Sequence, residues 1–160
     1  MKRILIVLGI LIVAQPLMAK SLINRLGIGY QNQFGEELPA IAARYYPYED
    51  LGFSAALGVD TESNNSKFGL LVKIYRAIFL EEHMNFYMGA GAGLLSIEKS
   101  GQSDSGFELS GFVGAEFFFM GLDSLGLTFE AGMGITSVKS GVRFRTIGDH
   151  PLRAGIIFYF

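Results

Sequence analysis

Apolar and polar residues alternate along the chain with a period of two, from residue 22 to the C-terminus. In one typical stretch, Phe86, Met88 and Ala90 alternate with Tyr87 and Gly89. This pattern is typical of β-strands whose two faces meet different surroundings. Eight such stretches occur, at residues 22–34, 40–45, 53–60, 68–75, 86–94, 108–119, 127–136 and 152–160.

Segments rich in glycine and polar residues separate the eight predicted strands. They lie at residues 35–37, 47–50, 61–66, 81–83, 98–106, 121–124 and 139–151. Short connections of this kind join antiparallel neighbours, and 160 residues are enough for one domain. The sequence therefore predicts an all-β fold, an eight-stranded antiparallel up-and-down barrel over residues 20–160. Residues 139–151 fit either a loop or an upward extension of the last hairpin, because Val142 and Phe144 still alternate with Arg143 and Arg145.

The composition of the two strand faces indicates which face points inward. One face is built from Leu, Ile, Val, Ala, Met and Phe, and the other from Gly with scattered Arg, Lys, Glu, Gln and Thr. A soluble lipocalin-like barrel has its apolar face inside, whereas a membrane barrel has it outside. Glycine weakens a strand that faces water but leaves room inside a narrow barrel. Strands of about ten residues, tilted near 45°, also cover the ~25 Å apolar band of a membrane barrel. We therefore predict a transmembrane barrel.

Aromatic residues lie mainly near the ends of the predicted strands, as expected for girdles at the two lipid–water interfaces. If the first strand starts on the periplasmic side, the lower girdle contains Tyr45, Tyr48, Phe53, Phe79, Phe86, Phe117, Phe119 and Phe160. The upper girdle then contains Phe34, Phe68, Phe107 and Phe144. Two polar residues, Asn24 and Arg76, fall on the predicted lipid face, and we expect both at the lower rim.

The N-terminus has the three parts of a signal peptide. Lys2 and Arg3 form a basic start, residues 4–14 an apolar core, and Ala19 a small residue at the expected cleavage site. We predict a signal peptide over residues 1–19, cut before Lys20. The alternative is an uncleaved N-terminal membrane anchor.

Charge and cysteine content exclude several classes of function. The chain has 13 basic and 15 acidic residues, so nothing indicates a nucleic-acid partner. It has no cysteine, which excludes disulfides, a thiol nucleophile, a Cys-ligated metal and a lipidated N-terminal cysteine.

The last predicted strand ends on Phe160, with Phe158 and Ile156 at the preceding alternate positions. This ending resembles the C-terminal signal by which the outer-membrane assembly machinery recognises its clients. With a leader and eight short strands, the chain resembles the small OmpA/OmpX-type and OmpW-like barrels of Gram-negative bacteria. The resemblance implies a location in the cell outer membrane, contact with its lipids and lipopolysaccharide, and a monomeric, porin-like barrel.

Seven charged residues fall on the predicted inner face and form a candidate lumen charge network. They are Arg25, Arg44, Lys73, Glu108, Glu116, Glu130 and Arg153. Isolated buried charges are very unfavourable, so these residues should pair. We expect Glu130 to pair with Arg153, and Glu116 to be the next member. The network is either a plug of ion pairs that fills the lumen or a set of charges that line or gate a small pore.

Signs of an enzyme are weak. The two histidines, His83 and His150, lie far apart, and neither has a serine two residues later, unlike the His-x-Ser pair of the lipid A deacylases. Gly89-x-Gly91-x-Gly93 lies inside a predicted strand and does not open a helix, so it is no phosphate loop. We expect no catalytic residue, metal or cofactor. The first hypothesis is a structural or surface-interaction barrel, the second a narrow channel for small or hydrophobic solutes, and the third a lipid-modifying enzyme.

Overall fold

The computed structural model describes residues 21–32, 34, 38–138, 141–146 and 153–160, and their ordered elements are β-strands. The predicted signal peptide lies outside these residues. The strands are β1 (Leu26–Asn32), β2 (Pro39–Tyr45), β3 (Leu51–Asp60), β4 (Lys67–Glu81), β5 (Met84–Lys99), β6 (Gln102–Phe119), β7 (Leu122–Val138), β8 (Gly141–Thr146) and β9 (Arg153–Tyr159). Among the described residues, no helix is long and apolar enough to cross a membrane.

From β1 to β8 consecutive strands pair antiparallel, and the sheet closes on itself into a barrel of eight strand positions, as predicted. Closure comes from β1, which pairs with β2 on one side and with β9 on the other. Strands β8 and β9 share the eighth position. β8 pairs with the upper half of β7 and β9 with its lower half. We call the end that carries the start of β1 and the β2–β3, β4–β5 and β6–β7 turns the lower rim, and the opposite end the upper rim.

The alternating strands turn their apolar face outward, as in a membrane barrel. Along β4, Leu71, Lys73 and Tyr75 are buried in the lumen, whereas Val72 and Ile74 are about half exposed on the outside. The same alternation runs along the other long strands. The described part of the barrel therefore has a tightly filled interior and an apolar exterior.

The longer hairpins extend beyond the predicted strands. Residues 98–106 were expected to form a connection, but β5 and β6 continue through most of them and meet at Ser100 and Gly101. Both residues have positive φ, 53° and 78°, which is the geometry of a tight hairpin turn with a twist that matches the strands. Residues 141–146 likewise form strand β8, so the described part of segment 139–151 is an extension of the hairpin.

Most of the predicted girdle residues lie on the outside near the strand ends, but Phe34 does not. Tyr45, Phe79 and Phe160 are exposed at the lower rim, and Phe68 is exposed at the upper rim. Phe34 was predicted for the upper girdle, yet it is only 2% exposed. It lies beyond the end of β1, where the strict alternation stops, and its ring fills the space above glycines of β3 and β4. Leu22 begins the predicted stretch 22–34 and has the parity of its outward residues, but it precedes β1 and is buried below its start.

Inward glycines make room for large side chains of neighbouring strands. A Cβ added at Gly52 would lie 2.2 Å from the ring of Tyr75, and one at Gly114 would lie 2.8 Å from the ring of Tyr87. The outward Gly111 of the same strand is different, because an added Cβ there has no atom within 4 Å. Interior glycines are thus required by packing, whereas Gly111 is not.

We predict that Gly114→Leu prevents barrel formation while Gly111→Leu permits it. The first substitution forces a side chain into the space occupied by Tyr87 and against the Phe129 carbonyl oxygen, also 2.8 Å from the added Cβ. The measurement is far-UV circular dichroism and gel mobility, before and after boiling, of protein refolded in detergent micelles. Equal folding of the two variants would contradict the packing argument.

Candidate functional site

Six of the seven predicted network residues lie inside the barrel and are buried. They are Arg44 on β2, Lys73 on β4, Glu108 and Glu116 on β6, Glu130 on β7 and Arg153 on β9. Each stands at an inward position of its strand. The period-two pattern therefore places side chains from five strands in one narrow lumen.

Arg44 lies between two carboxylates. Its Nη1 is 3.2 Å from Glu116 Oε1, and its Nη2 is 3.4 Å from Glu130 Oε1. The guanidinium also lies over the rings of Tyr75 and Tyr87, with its central carbon 4.7 and 5.3 Å from their centroids. A planar, delocalised cation suits this position because it donates in its plane and stacks through its faces.

Tyrosine hydroxyls and Lys73 provide the remaining hydrogen bonds of the two carboxylates. Glu116 accepts from Tyr46 Oη at 2.8 Å and from Tyr159 Oη at 2.5 Å. Glu130 accepts from the hydroxyl of a third tyrosine, Tyr87, at 2.9 Å and from Lys73 Nζ at 2.5 Å. Each carboxylate is thus held by one shared guanidinium and two further donors, as a buried charge requires.

Arg153 pairs with Glu108 rather than with the expected Glu130. The register does place Arg153 opposite Glu130. However, Arg153 Nη2 lies 3.2 Å from Glu108 Oε1, and Glu130 bonds to Lys73 and Arg44 instead. Long side chains in a narrow lumen reach across it, so facing backbone positions do not decide the pairing.

The buried network is electrically balanced. Three cations, Arg44, Lys73 and Arg153, face three carboxylates. Balance matters because a buried pair that loses one partner leaves an uncompensated charge in a medium of low polarity. The arrangement joins strands on opposite sides of the barrel and fills the lower and middle lumen.

Arg25 occupies a different place from the other six residues. It is half-buried at the lower rim, where Nη2 donates to Ser124 Oγ at 3.1 Å and to the Tyr159 carbonyl oxygen at 3.0 Å. Its guanidinium carbon lies 5.9 Å from the centroid of the Tyr159 ring. Arg25, just before β1, therefore connects this end of the chain to the start of β7 and the end of β9, at the lower mouth.

Four tyrosines of the site, Tyr46, Tyr75, Tyr87 and Tyr159, had no predicted role. Three of them stand on the inner face in the predicted alternation, and Tyr46 is two residues beyond Arg44. Their place on the same face as the predicted carboxylates could have indicated their role. A buried tyrosine hydroxyl needs a hydrogen-bond partner, and an inward carboxylate is the available acceptor.

The upper lumen beside β3, β4 and β5 is apolar, which the predicted charge-filled interior did not include, whereas Gln31 and Glu108 are buried in the rest of it. Phe34, Leu38, Leu71 and Leu95 are all buried in the apolar part and belong to the hydrophobic core. Rings and methyl groups near Gly58 and Gly69 come from Phe34 and Leu38. We call these four side chains the apolar cap. The lumen thus has a charged lower and middle part and, beside β3 to β5, an apolar upper part.

Neither histidine contributes to a described cluster. His83 lies in the β4–β5 turn, with Nε2 3.8 Å from Glu82 Oε1, and is partly exposed. His150 and the adjacent Asp149 fall outside the described residues. Within the described ranges, no group of three or more His, Cys, Asp or Glu side chains has the proximity needed to hold a metal ion.

The residues of the predicted assembly signal lie at the seam that closes the barrel. Ile156, Phe158 and Phe160 are exposed on the outer face, at 52, 55 and 62%. Phe160 also exchanges two backbone hydrogen bonds with Leu26, of 3.0 and 3.3 Å. The three side chains thus form an apolar ridge beside the seam between β9 and β1.

We predict that Arg44→Gln destabilises the barrel far more than Arg76→Gln. Arg44 is buried, and its loss leaves two carboxylates short of their shared cation, an effect of about 3–5 kcal/mol. Arg76 also pairs with a carboxylate, Asp50 at 3.1 Å, but its side chain is 75% exposed, so its loss should cost less than about 1 kcal/mol. Urea unfolding in detergent micelles measures both free energies. Equal losses would show that the buried network does not stabilise the barrel.

No protein-family model matches the sequence, and the search of curated proteins returned no match. Among solved structures, the chain is similar to the N-terminal β-barrel domain of Pseudomonas aeruginosa OprF. The similarity covers 86% of this chain and 98% of that domain, with a TM-score of 0.57 and 13% sequence identity. The comparison shows that the chain has the closed eight-stranded fold of that barrel domain.

Proposed function

We propose that the chain is an integral outer-membrane barrel with a structural or surface-interaction role and a lumen closed by its own side chains. The observation that carries this proposal is the inversion of the barrel: a balanced set of buried charges inside and an apolar surface outside. A water-soluble barrel of this construction would expose large apolar side chains on every strand, which is very unfavourable in water.

The outer surface supports a membrane location. Val72, Ile74, Leu94 and Val113 are 52, 47, 61 and 44% exposed on neighbouring strands. Such a continuous apolar band, with aromatic residues at its two ends, matches the hydrocarbon core and interfaces of a bilayer. The expected signal peptide and the terminal Phe160 agree with export and with recognition by the outer-membrane assembly machinery.

The filled lumen supports a structural role. Arg44, Tyr75 and Tyr87 are at most 1% exposed, and they lie together in the lower half of the barrel. The apolar cap fills the upper lumen beside β3, β4 and β5. A solute would have to displace both layers, so we infer that the barrel's contacts are with outer-membrane lipids, with lipopolysaccharide at its upper loops, and with surface partners. We expect the barrel to be a monomer.

A narrow channel is the second candidate function. Several buried polar atoms on the inner wall, including the side-chain amide of Gln31 and the hydroxyls of Ser54, Ser110 and Thr128, make no hydrogen bond to a described residue. Buried polar groups without partners are uncommon and favour contact with water or a polar solute. These groups lie on the wall of the barrel, where a hydrated passage would run.

We predict that the expressed chain is recovered in the outer-membrane fraction and that its gel band shifts on boiling. A closed barrel held by its hydrogen-bonded wall and buried ion pairs resists SDS until it is heated. A variant lacking residues 1–19 is the matched control and should stay in the cytoplasm without a heat-sensitive band. Recovery of the full chain as a soluble periplasmic protein with a single mobility would overturn the membrane proposal.

We further predict that the barrel gives no steady conductance steps in planar bilayers. The reason is that its charges neutralise one another and leave no wide path. The comparison variant is Lys73→Met, which removes one cation from the lumen. Regular steps from the unmodified barrel, with a size or ion selectivity that changes in Lys73→Met, would favour the channel over the closed barrel.

A further inference from the structure

A groove of about 720 Å³ crosses the outer face of the barrel from β4 to β7. We call it the outer groove and define it by Ile74, Met88, Ala90, Gly111, Val113 and Met133. Its floor is low at Gly111, because this outward residue has no side chain and its partner on β5, Ala90, has only a methyl group. The groove crosses three strand spacings, about 14 Å at ~4.8 Å each.

The lower end of the outer groove carries a cation. Arg76 lines this end and stands two residues below Ile74, opposite Met88 on β5 and Leu51 at the start of β3. Its Nε donates to Asp50 Oδ2 at 3.1 Å. No hydrogen bond joins its two terminal nitrogens to another described residue, and its side chain is 75% exposed. The pair with Asp50 therefore leaves both terminal nitrogens of the guanidinium, with their four N–H groups, available.

We propose that the outer groove binds a glycerophospholipid of the lower leaflet, with its phosphate on Arg76 and an acyl chain along Gly111. This inference rests on the proposed membrane location. The guanidinium supplies a planar pair of donors for phosphate oxygens, and the groove supplies an apolar bed for the chain. Since Arg76 is level with the β2–β3 turn, the headgroup lies at the lower rim and the chain runs toward the middle of the bilayer.

A second depression on the barrel exterior provides the contrast. It has a volume of about 440 Å³ and is lined by Tyr30, Ile41, Ala43, Ala55 and neighbouring small or apolar residues. Its described lining includes no charged residue. Any acyl chain that covers this surface has no headgroup anchor there. We therefore expect lipid to exchange freely at this depression but to stay bound at the outer groove.

The test is native mass spectrometry of the refolded barrel released from micelles that contain dioleoylphosphatidylglycerol. We expect one retained lipid per barrel. Arg76→Gln and Gly111→Leu should each lower the retained fraction by roughly tenfold, from the loss of a charge-assisted hydrogen bond or of the groove volume. The matched control Ala43→Leu, in the second depression, should retain lipid as the unmodified barrel does, and Arg76→Lys should retain more than Arg76→Gln.

Equal lipid retention by the unmodified barrel, Arg76→Gln and Gly111→Leu would overturn the inference. So would a dimer mass that disappears in Gly111→Leu, since the groove would then hold a second copy of the chain. Each sample is first checked for the gel shift on boiling. An unmodified barrel that shows the shift but no site-dependent lipid defeats this inference alone, whereas absence from the outer-membrane fraction defeats the proposed function as well. If Gly111→Leu does not fold, the exposed Arg76 variants decide the result.

Discussion

The sharing of Arg44 between Glu116 and Glu130 is the interaction on which the interior of this barrel depends. A closed barrel with an apolar outside has to place its polar residues inside, where an unpaired charge is very unfavourable. One guanidinium satisfies part of both carboxylates, and Lys73 and three tyrosine hydroxyls complete them. The wall can therefore close around charges because they neutralise each other across the lumen.

The space for this network comes from glycine. Tyr75 and Tyr87 lie over the neighbouring strands because their paired positions there, Gly52 and Gly114, have no side chain. Glycine normally weakens a strand, but here neighbouring strands supply the side chain that fills the volume. The high glycine content and the large inward tyrosines are thus two parts of one packing arrangement. The outward Gly111 has no such role, which sets it apart as a feature of the exterior.

The sequence predicted the barrel correctly because its alternation persists over nearly the whole described chain. Strand number, the inward position of Lys73 and the outward position of Val72 all follow from a period of two. The same rule failed at Phe34, because a residue beyond the end of a strand no longer obeys the alternation. The alternation also did not predict that β5 and β6 continue to the turn at Ser100 and Gly101. The polar residues at these strand ends resemble those of a loop.

Which residues form the buried charge network was easier to predict than which of them contact one another. The alternation along a strand is enough to place a residue on the inner face. Its ion-pair partner, however, depends on how far its side chain extends into the lumen. Arg153 and Glu130 face each other in the register, yet each finds its partner on another strand. Strand order and tilt determine which inward side chains lie at the same level of the lumen. The local alternation of apolar and polar residues predicts neither of them.

The charged network and the apolar cap both affect whether ions could pass through the lumen. In the closed barrel that we propose, the charges around Arg44 are paired with one another, and the apolar cap around Phe34 and Leu38 forms a second obstacle to ions. A single conformational change that separates Arg44 from Glu116 would not open the apolar cap. Opening the proposed closed lumen would need two rearrangements, one of the ion pairs and one of the apolar cap. The closed lumen of our proposal therefore depends on the whole interior, and the proposal leaves the outer surface and the rims for contacts with partners.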